Sequence, residues 1–229
     1  MLLAEDLLLL LTDDTSGRLS AWEVKVDFLL AGANLVELAL MGRVEGSREV
    51  KPIRFLGINR QVDRLVVRDP SPTGDAVLDA ALQIAIRSKG RLLWAIRKSR
   101  MNLRWTLYMR LVSSGMVRDE STSLLGRDRW PVQDSRHIAE VRRPVIEALV
   151  EQTTPDTRSA ALIALLHTIR HEPTIVGVGH RAEISRLIER RGTVIARSSW
   201  APEAVRDSID AIIATTGKQA RLAGEGGGG

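Results

Sequence analysis

Cysteine is absent from this chain of 229 residues, and aromatic side chains are scarce. Without cysteine the chain has no disulfides, no thiolate catalysis and no cysteine-ligated metal. The absence fits a reducing compartment. The chain has five Trp, two Phe and one Tyr, so the position of each of these rings is informative.

Long hydrophobic runs are also missing. No window approaches the roughly 18 to 20 apolar residues that a membrane span needs. The leucine-rich residues 1–11 are interrupted by Glu5 and Asp6, and neither a basic segment nor a small-residue cleavage site flanks them. The sequence therefore predicts a cytoplasmic protein that is soluble or, at most, peripherally associated with a membrane.

Acidic residues are missing from one stretch, residues 80–118, although the whole chain has 28 Asp and Glu against 33 Lys and Arg. The formal net charge of +5 is modest, so this local excess favours a local anion site over a generally adhesive surface. The basic residues of the stretch are Arg87, Lys89, Arg91, Arg97, Lys98, Arg100, Arg104, Arg110 and Arg118.

The basic stretch is predicted to be helical, because Leu103, Leu107 and Leu111 recur at helical spacing. On one continuous helix, Arg97, Arg100 and Arg104 would share a face and repel one another. Either the face is solvated or paired with acids such as Glu5, Asp6 or Glu37, or it binds an external anion. An anionic lipid or phosphate suits the planar fork of arginine donors, and nucleic acid is a further possibility.

The periodicity as a whole predicts one mainly helical domain over residues 1–216, with a helical-bundle core, surrounding amphipathic helices and small β-hairpins. An almost wholly apolar helix within residues 21–43 is predicted to be buried at the centre. Residues 217–229 offer little to bury and are predicted to be a disordered Gly-rich tail.

Several smaller elements follow from local signals. Short strands are predicted at residues 43–45, 52–55 and 63–67, and a hairpin at 117–133. Further helices are predicted from Thr73 as N-cap to about Arg87, at 135–152 with a kink or split at Pro144, from Thr154 or Asp156 to about 171, and at 182–191 and 202–215.

Four segments, in this order and at this spacing, resemble the Golgi phosphoprotein 3 family. They are LLAEDLLLLLTDDTSGRLSAW (2–22), LVELALMGRV (35–44), DPSPTGDAVLDAAL (69–82) and NLRWTLYMRLVSSGMV (102–117). The most specific parts are residues 35–40 and the P-T-G-D-x-x-L-D pattern at 72–79. The likeness continues to the last helices and covers nearly the whole chain before the tail.

The resemblance implies a peripheral membrane adaptor. Eukaryotic members bind phosphatidylinositol 4-phosphate at a shallow basic pocket, insert an apolar hairpin tip into the cytosolic leaflet and hold client glycosyltransferases. Because this chain starts directly at the domain, it is expected to be a bacterial-type member, and coat recruitment is not expected of it.

The family's headgroup pocket matches this sequence in part. Trp22 matches the pocket Trp, and Arg104 matches the second of two Arg three residues apart. Ala31 and Met101 stand where the family has Arg, and Arg100 beside Met101 is a candidate substitute. The predicted headgroup-binding set is Trp22, Arg91, Arg97, Arg100 and Arg104.

Leu124 and Leu125 lie at the tip of the predicted hairpin and are predicted to insert into a membrane. Burying two Leu contributes about 2 to 4 kcal/mol, which gives weak, reversible anchoring unless charge adds to it. A protein interface, or folding back onto the core, are the alternatives for this pair. Trp130, next to Pro131, is predicted to be structural.

Two other functions compete with the membrane adaptor. A basic helix followed by a hairpin with Arg118, Arg127 and Arg129 also fits a winged-helix nucleic-acid-binding protein, although leucines at the tip favour lipid. A protein-binding scaffold with a degenerate lipid site is the second rival.

Catalysis, metal and cofactors are not expected from the residue spacings. His167 and His171 have a metal-capable i, i+4 spacing, but no Glu follows His167 and the other ligands would have to come from distant segments. Gly177 and Gly179 are followed by no third glycine, so nucleotide binding is not favoured. The leading hypothesis is a peripheral adaptor whose partners are an anionic phospholipid at a membrane surface and, as a further possibility, client proteins.

Overall fold

Helices dominate the structure, a computed structural model that describes residues 1–53, 58–120, 129–179, 181–198 and 203–225. The helices are α1 (Leu3–Leu10), α2 (Glu23–Leu40), α3 (Ala76–Arg87), α4 (Leu92–Ser99), α5 (Leu103–Ser113), α6 (Ser135–Ile146), α7 (Thr157–His167), α8 (Glu172–Val176), α9 (Ala182–Arg197) and α10 (Glu203–Glu225). Strands β1 (Val44–Ile53) and β2 (Ile58–Val67) form an antiparallel hairpin. The mainly helical prediction is confirmed.

The centre of the fold is α2, as its apolar composition predicts. Its residues from Phe28 to Ala39 are buried except for Glu37, and α1, α3, α4, α5, α7 and α10 all pack against it. Gly32 permits the closest of these approaches, because a Cβ at this position would overlap the side chain of Thr216 on α10. The central helix therefore holds the surrounding helices in fixed positions.

The C-terminal helix corrects the predicted disordered tail. Helix α10 continues to Glu225, and it buries Gln219 and Ala220. The prediction failed because residues 217–225 contain few large apolar side chains, whereas the contact uses small ones. Gly217, for example, lies so close to Thr168 that a Cβ would overlap it.

The β-hairpin corrects the prediction of three short strands. Pairing runs without interruption from Val44–Val67 to Ile53–Ile58, so Gly46 lies within the ladder opposite Leu65 rather than in a break. Gly57, between the second and third predicted strands, lies outside the described residues. A glycine weakens a strand but its backbone still forms ladder hydrogen bonds.

The basic stretch is not one helix. Lys89 and Gly90 have positive φ angles and end α3, and Asn102, with φ of 59°, separates α4 from α5. Arg97 lies on α4, Arg100 is its C-cap and Arg104 lies on α5. The predicted common face of these three arginines is therefore wrong, because a left-handed residue redirects the chain between them.

Two predicted helix starts and one kink can be checked directly. The N-cap of α3 is Asp75, which accepts hydrogen bonds from the backbone N–H of Val77 and Leu78, so the prediction of Thr73 is wrong. Asp156 caps α7 as predicted. After Pro144 the helix α6 changes into a π-helical turn, Glu147–Glu151, which is the predicted disturbance.

The ends of the predicted 117–133 hairpin are paired as expected. The backbone N–H of Arg118 donates to Pro131 O at 2.9 Å, and that of Glu120 donates to Arg129 O at 3.0 Å. Leu124 and Leu125 lie outside the described residues, so their insertion stays a prediction. Among the described helices, none has the length and apolar character needed to cross a bilayer.

Candidate functional site

A cavity of about 830 Å³ lies where four segments of the chain meet. The loop before α2, the first turns of α2, the turn from α4 into α5, and the segment containing Trp130 contribute to it. Its lining is Gly17, Arg18, Leu19, Ala21, Trp22, Glu23, Val24, Asp27, Arg100, Asn102, Arg104, Trp105, Tyr108 and Trp130. We call this cavity the cleft.

The cleft combines three arginines with two carboxylates, which leaves one net positive charge. Arg104 is at its centre, with Nη2 donating to Glu23 Oε2 at 2.7 Å and Nε lying 3.1 Å from Asp27 Oδ1. The Arg104 side chain is 24% exposed and that of Glu23 is 71% exposed. Because Glu23 lies mostly in solvent, an incoming anion can replace it on Arg104 at a small cost.

The surroundings of Asp27, the second partner of Arg104, disfavour its ionised form. Burial raises the pKa of its carboxyl above the ordinary value, and the charges of Arg104 and Arg100 only partly oppose this effect. Burial acts to lower the pKa of Arg104, but the hydrogen bond to Glu23 and the charge of Asp27 outweigh it and raise the pKa. Arg104 therefore stays cationic. The cleft therefore keeps its positive charge at any physiological pH.

Arg100 is held against an aromatic ring rather than by a carboxylate. Its guanidinium carbon lies 4.8 Å from the ring centroid of Phe28, within the range of a cation–π contact. Its Nε is buried and forms no hydrogen bond in the part of the chain that the structure describes. Asp27 Oδ1 is similarly unsatisfied, although it lies near Arg104. Such unpaired buried atoms are uncommon and mark polar groups that a ligand or water can satisfy.

An aromatic wall closes one side of the cleft. Tyr108 and Trp130 stack with their centroids 4.5 Å apart and their planes at 7°, and Trp105 meets Trp130 edge-on at 5.3 Å. The hydroxyl of Tyr108 shares a 2.8 Å hydrogen bond with Thr12, which holds the ring against the segment that follows α1. The cleft thus contains the chain's only Tyr and, with Trp22, three of its five Trp.

Trp130 also connects the cleft to the predicted hairpin. Its backbone N–H donates to Gly17 O at 2.9 Å, and a Cβ on Gly17 would overlap this part of the backbone. Arg129, the preceding residue, accepts the hydrogen bond from Glu120. The segment that contains Leu124 and Leu125 therefore leaves the described structure within one residue of the cleft.

Two helices begin at the cleft. Trp22 is the N-cap of α2 and Asn102 is the N-cap of α5, and neither supplies a side-chain hydrogen bond to the helix that it caps. The N-terminal end of a helix carries a partial positive charge from its free N–H groups. Both helix starts therefore add to the attraction that the arginines exert on an anion.

The structure brings together part of the predicted headgroup set. Trp22, Arg100 and Arg104 all line the cleft. Arg97 instead donates to Gln219 on α10 at 3.1 Å, and Arg91 lies 5.5 Å from the ring centroid of Trp94. Both lie outside the cleft lining.

Other predictions about single residues have mixed outcomes. Trp22 is 55% exposed, so its ring is not part of the core. Trp130 is buried, as a structural residue should be, although its ring also lines the cleft. Arg110, in the same basic stretch, forms an ion pair with Glu5 at 2.8 Å, which is the kind of internal pairing given as the alternative to an external anion.

Sequence reasoning missed much of the cleft, namely Arg18, Glu23, Asp27, Asn102, Trp105 and Tyr108. One signal could have found two of them. Trp105 and Tyr108 are scarce residue types, they lie three residues apart on a helix, and Trp105 follows Arg104 directly. The carboxylates gave no comparable signal, because only the fold places α2 beside α5.

The histidine pair is explained by ordinary contacts. His167 Nδ1 lies 2.6 Å from Oε1 of the buried Glu172, and His171 Nε2 lies 2.8 Å from Ser20 Oγ. Within the described residues, no group of three or more potential metal ligands comes together. Burial lowers the pKa of His171, which favours its neutral form.

The fold and the cleft define a helical domain with an arginine-centred, aromatic-walled cleft at its surface. The family described as Golgi phosphoprotein 3 (GPP34) matches residues 3–212 of this chain. Since this match covers most of the 229 residues, the chain belongs to the Golgi phosphoprotein 3 family.

Two fungal proteins are similar to the chain. Vacuolar protein sorting-associated protein 74 of Eremothecium gossypii is 29% identical over 164 residues, covering 65% of this chain and 49% of the relative. The protein of the same name from Schizosaccharomyces pombe is 27% identical over 166 residues, covering 66% and 48%. The chain spans about half the length of these relatives. The expectation of a bacterial-type member stays a prediction.

Proposed function

We propose that this protein is a peripheral membrane adaptor that binds an anionic lipid headgroup in the cleft, with phosphatidylinositol 4-phosphate as the specific candidate. The observation that supports it most is the convergence of Trp22, Arg100 and Arg104 on one cavity of about 830 Å³. A phosphate accepts hydrogen bonds from arginine in a bidentate geometry, and the starts of α2 and α5 reinforce the attraction.

The partial match to the family pocket has a structural counterpart. Ala31 is fully buried, so the position that carries Arg in the family lies in the core of this protein. Met101 is 63% exposed and carries no charge. Arg100 replaces part of the missing charge from the other side of the α4–α5 turn. We therefore expect phosphoinositide binding here to depend on Arg104 and Arg100.

The described residues favour lipid over nucleic acid. A recognition helix needs several free basic residues along one face, whereas Arg110 on α5 is held by Glu5 and Asp75. This leaves Arg104, with its solvent-exposed partner Glu23, as the basic residue that α5 contributes to the cleft. A gel-shift with a steep salt dependence would favour the nucleic-acid alternative. We expect no catalysis, since the carboxylates of the cleft are counter-ions of Arg104. The adaptor role rests on family membership, and client proteins are proposed on that ground alone.

The direct test is co-sedimentation with phosphatidylcholine vesicles that contain phosphatidylinositol 4-phosphate, phosphatidylinositol, phosphatidylserine or no acidic lipid. Arg104→Gln should weaken binding by roughly tenfold or more, the loss expected for a charge-assisted hydrogen bond to a phosphate. Arg97→Gln is the matched control, because it removes the same charge from the same basic stretch but outside the cleft. Its effect should be small.

Two results would overturn the proposal. One is vesicle binding that Arg104→Gln leaves unchanged, and the other is the absence of binding to every acidic lipid. In the second case a protein-binding scaffold with a degenerate lipid site becomes the better explanation.

A further inference from the structure

Exposed apolar side chains surround the charged centre of the cleft. Trp22 and Val24, at the start of α2, are 55% and 42% exposed, and Met101 and Trp105, at the start of α5, are 63% and 48% exposed. Trp22, Val24 and Trp105 line the cavity, and Met101 lies between the lining residues Arg100 and Asn102. We call these four residues the rim.

The arrangement of the rim is the reverse of that of a protein interface. Interfaces between proteins have an apolar centre that is depleted of charge, surrounded by polar residues. Here the charged side chains of Arg104 and Asp27, 24% and 18% exposed, are recessed, and the four apolar side chains are more exposed. A group of exposed, large apolar residues indicates a surface that binds a partner. The arrangement of charged and apolar side chains here disfavours a protein as that partner.

A lipid bilayer presents the chemistry that fits the rim. A headgroup in the cleft carries the negative charge that complements Arg104 and Arg100, and the interfacial region around it accepts Trp and Met side chains. Trp in particular is enriched at the level of the headgroups, where its ring contacts apolar groups and its N–H contacts polar ones. Apolar burial and charge attraction then act together, as stable peripheral anchoring requires.

The geometry points to the rim as a second membrane anchor, in which Met101 and Trp105 enter the bilayer interface beside the headgroup that the cleft binds. This inference rests on the proposed function. It adds a contact independent of the predicted Leu124–Leu125 tip, and it gives a role to Met101, the residue that replaces a charge in the family pocket.

The experiment compares two ligands and five proteins. The ligands are phosphatidylcholine vesicles with phosphatidylinositol 4-phosphate, and the soluble headgroup inositol 1,4-bisphosphate, which has no bilayer. The proteins are the wild type, Met101→Ser, Trp105→Ser, Arg104→Gln and the control Met41→Ser. Met41 is 44% exposed and caps the other end of α2, about 28 Å from Trp22 at the helical rise per residue.

If the rim is an anchor, Met101→Ser and Trp105→Ser each bind vesicles roughly three- to tenfold more weakly. Met101→Ser binds the soluble headgroup like the wild type, because Met101 lies outside the cleft lining. Met41→Ser changes neither affinity, and Arg104→Gln weakens both. Brominated lipids with the label near the interface should also quench tryptophan emission in the wild type, and less in Trp105→Ser.

Three results would overturn the inference. Both rim variants could bind vesicles like the wild type, or Met101→Ser could weaken binding of the soluble headgroup as much as binding of vesicles, which would make Met101 part of the cleft alone. Self-association that Met101→Ser abolishes while vesicle binding stays intact would assign the rim to a second copy of the chain. If the wild type binds neither ligand, the proposed function fails, and the rim anchor fails with it.

Discussion

Arg104 Nε lies 3.1 Å from Asp27 Oδ1, yet that oxygen accepts no hydrogen bond within the described part of the chain. The two groups attract each other by charge without the directional contact that makes such pairs strong. A buried carboxylate in this position opposes the binding of a second anion. Asp27 therefore acts as a weak internal competitor for the arginine of the cleft.

The first prediction is that Asp27→Asn strengthens headgroup binding several-fold. It removes the competing charge, and it also removes a buried carboxylate whose ionisation is unfavourable, so thermal stability at neutral pH should not fall. Soluble inositol 1,4-bisphosphate titrated by calorimetry gives the affinity. Glu23→Gln is the comparison, with a smaller gain expected because Glu23 is mostly solvated. Unchanged or weaker binding by D27N would contradict the competitor role.

The same carboxylate makes binding depend on pH. Because burial raises the pKa of Asp27 above its ordinary 3.8, the ionised form costs stability at neutral pH, and this cost disappears as the pH falls through the raised pKa. Protonation of Asp27 also frees Arg104, so the affinity of the wild type for the headgroup should rise as the pH falls through this pKa. The phosphate groups of the ligand also titrate, and their effect on affinity is the same in the wild type and in D27N. Only the wild type should show the additional gain in affinity that comes from protonation of Asp27. Parallel pH profiles for both proteins would rule this coupling out.

Asp75 provides a stability prediction near the same helices. It caps α3 through Val77 N and Leu78 N, and both of its oxygens accept from Arg110 Nη1, at 2.9 and 2.8 Å. Burial acts to raise the pKa of Asp75, but these hydrogen bonds outweigh it and leave the pKa lowered.

Asp75→Ala should lower the free energy of unfolding by about 2 kcal/mol, because it removes the cap and the ion pair together. Asp75→Asn keeps the cap and loses the charge, so it should cost about half as much. Because the pKa is lowered, the contribution is present above pH 3.8 and is lost as the pH falls below it. Urea unfolding at pH 7 measures both variants, and equal losses would mean that the cap contributes nothing.

The general architecture could be predicted because it depends on periodicity. The apolar composition of α2 indicates a central helix, and the structure places it there. The break at Asn102 could not be predicted, since the surrounding residues include neither Gly nor Pro and one positive φ angle redirects the chain. That single residue decides whether Arg97 and Arg104 share a face, and three of the five predicted headgroup residues line the cleft.

The aromatic wall shows a second limit of sequence reasoning. Trp130 is 22 residues from Tyr108 along the chain, and 121–128 between them lie outside the described residues. Their stacking depends on Gly17 holding the backbone of Trp130, a contact between distant segments that no local pattern encodes. The resemblance to the family therefore identified Trp22 and Arg104, and no short-range signal identified the aromatic wall.

Replacement by alanine should have different effects at Gly192, which lies against the hydrogen-bonded pair of His167 and Glu172, and at Gly224. A Cβ on Gly192 would overlap Glu172 Oε1, which is fully buried and has no room to move. A Cβ on Gly224 would overlap only the end of the flexible Lys25 side chain.

Gly192→Ala should therefore destabilise the protein by about 2 kcal/mol or more, because a buried hydrogen-bonded pair is displaced. Gly224→Ala should be neutral or stabilising by up to about 1 kcal/mol, the difference in helix propensity. Thermal unfolding followed by circular dichroism compares them. A neutral Gly192→Ala would show that α8 and α9 separate easily at this contact.

The last prediction concerns the end of α10, which composition alone assigns to a disordered tail. Gln219 accepts a hydrogen bond from Arg97, Arg221 Nη1 donates to Thr168 O at 2.9 Å, and Ala220 is fully buried. Ending the chain at Thr216 removes all three contacts and should lower stability by at least about 2 kcal/mol. Ending it at Glu225 keeps every described contact and is the matched control. A lower melting temperature for the shorter chain alone would show that small side chains stabilise this end of the fold. Equal melting temperatures for the two truncations would mean that the last turns of α10 are dispensable, as a disordered tail would be.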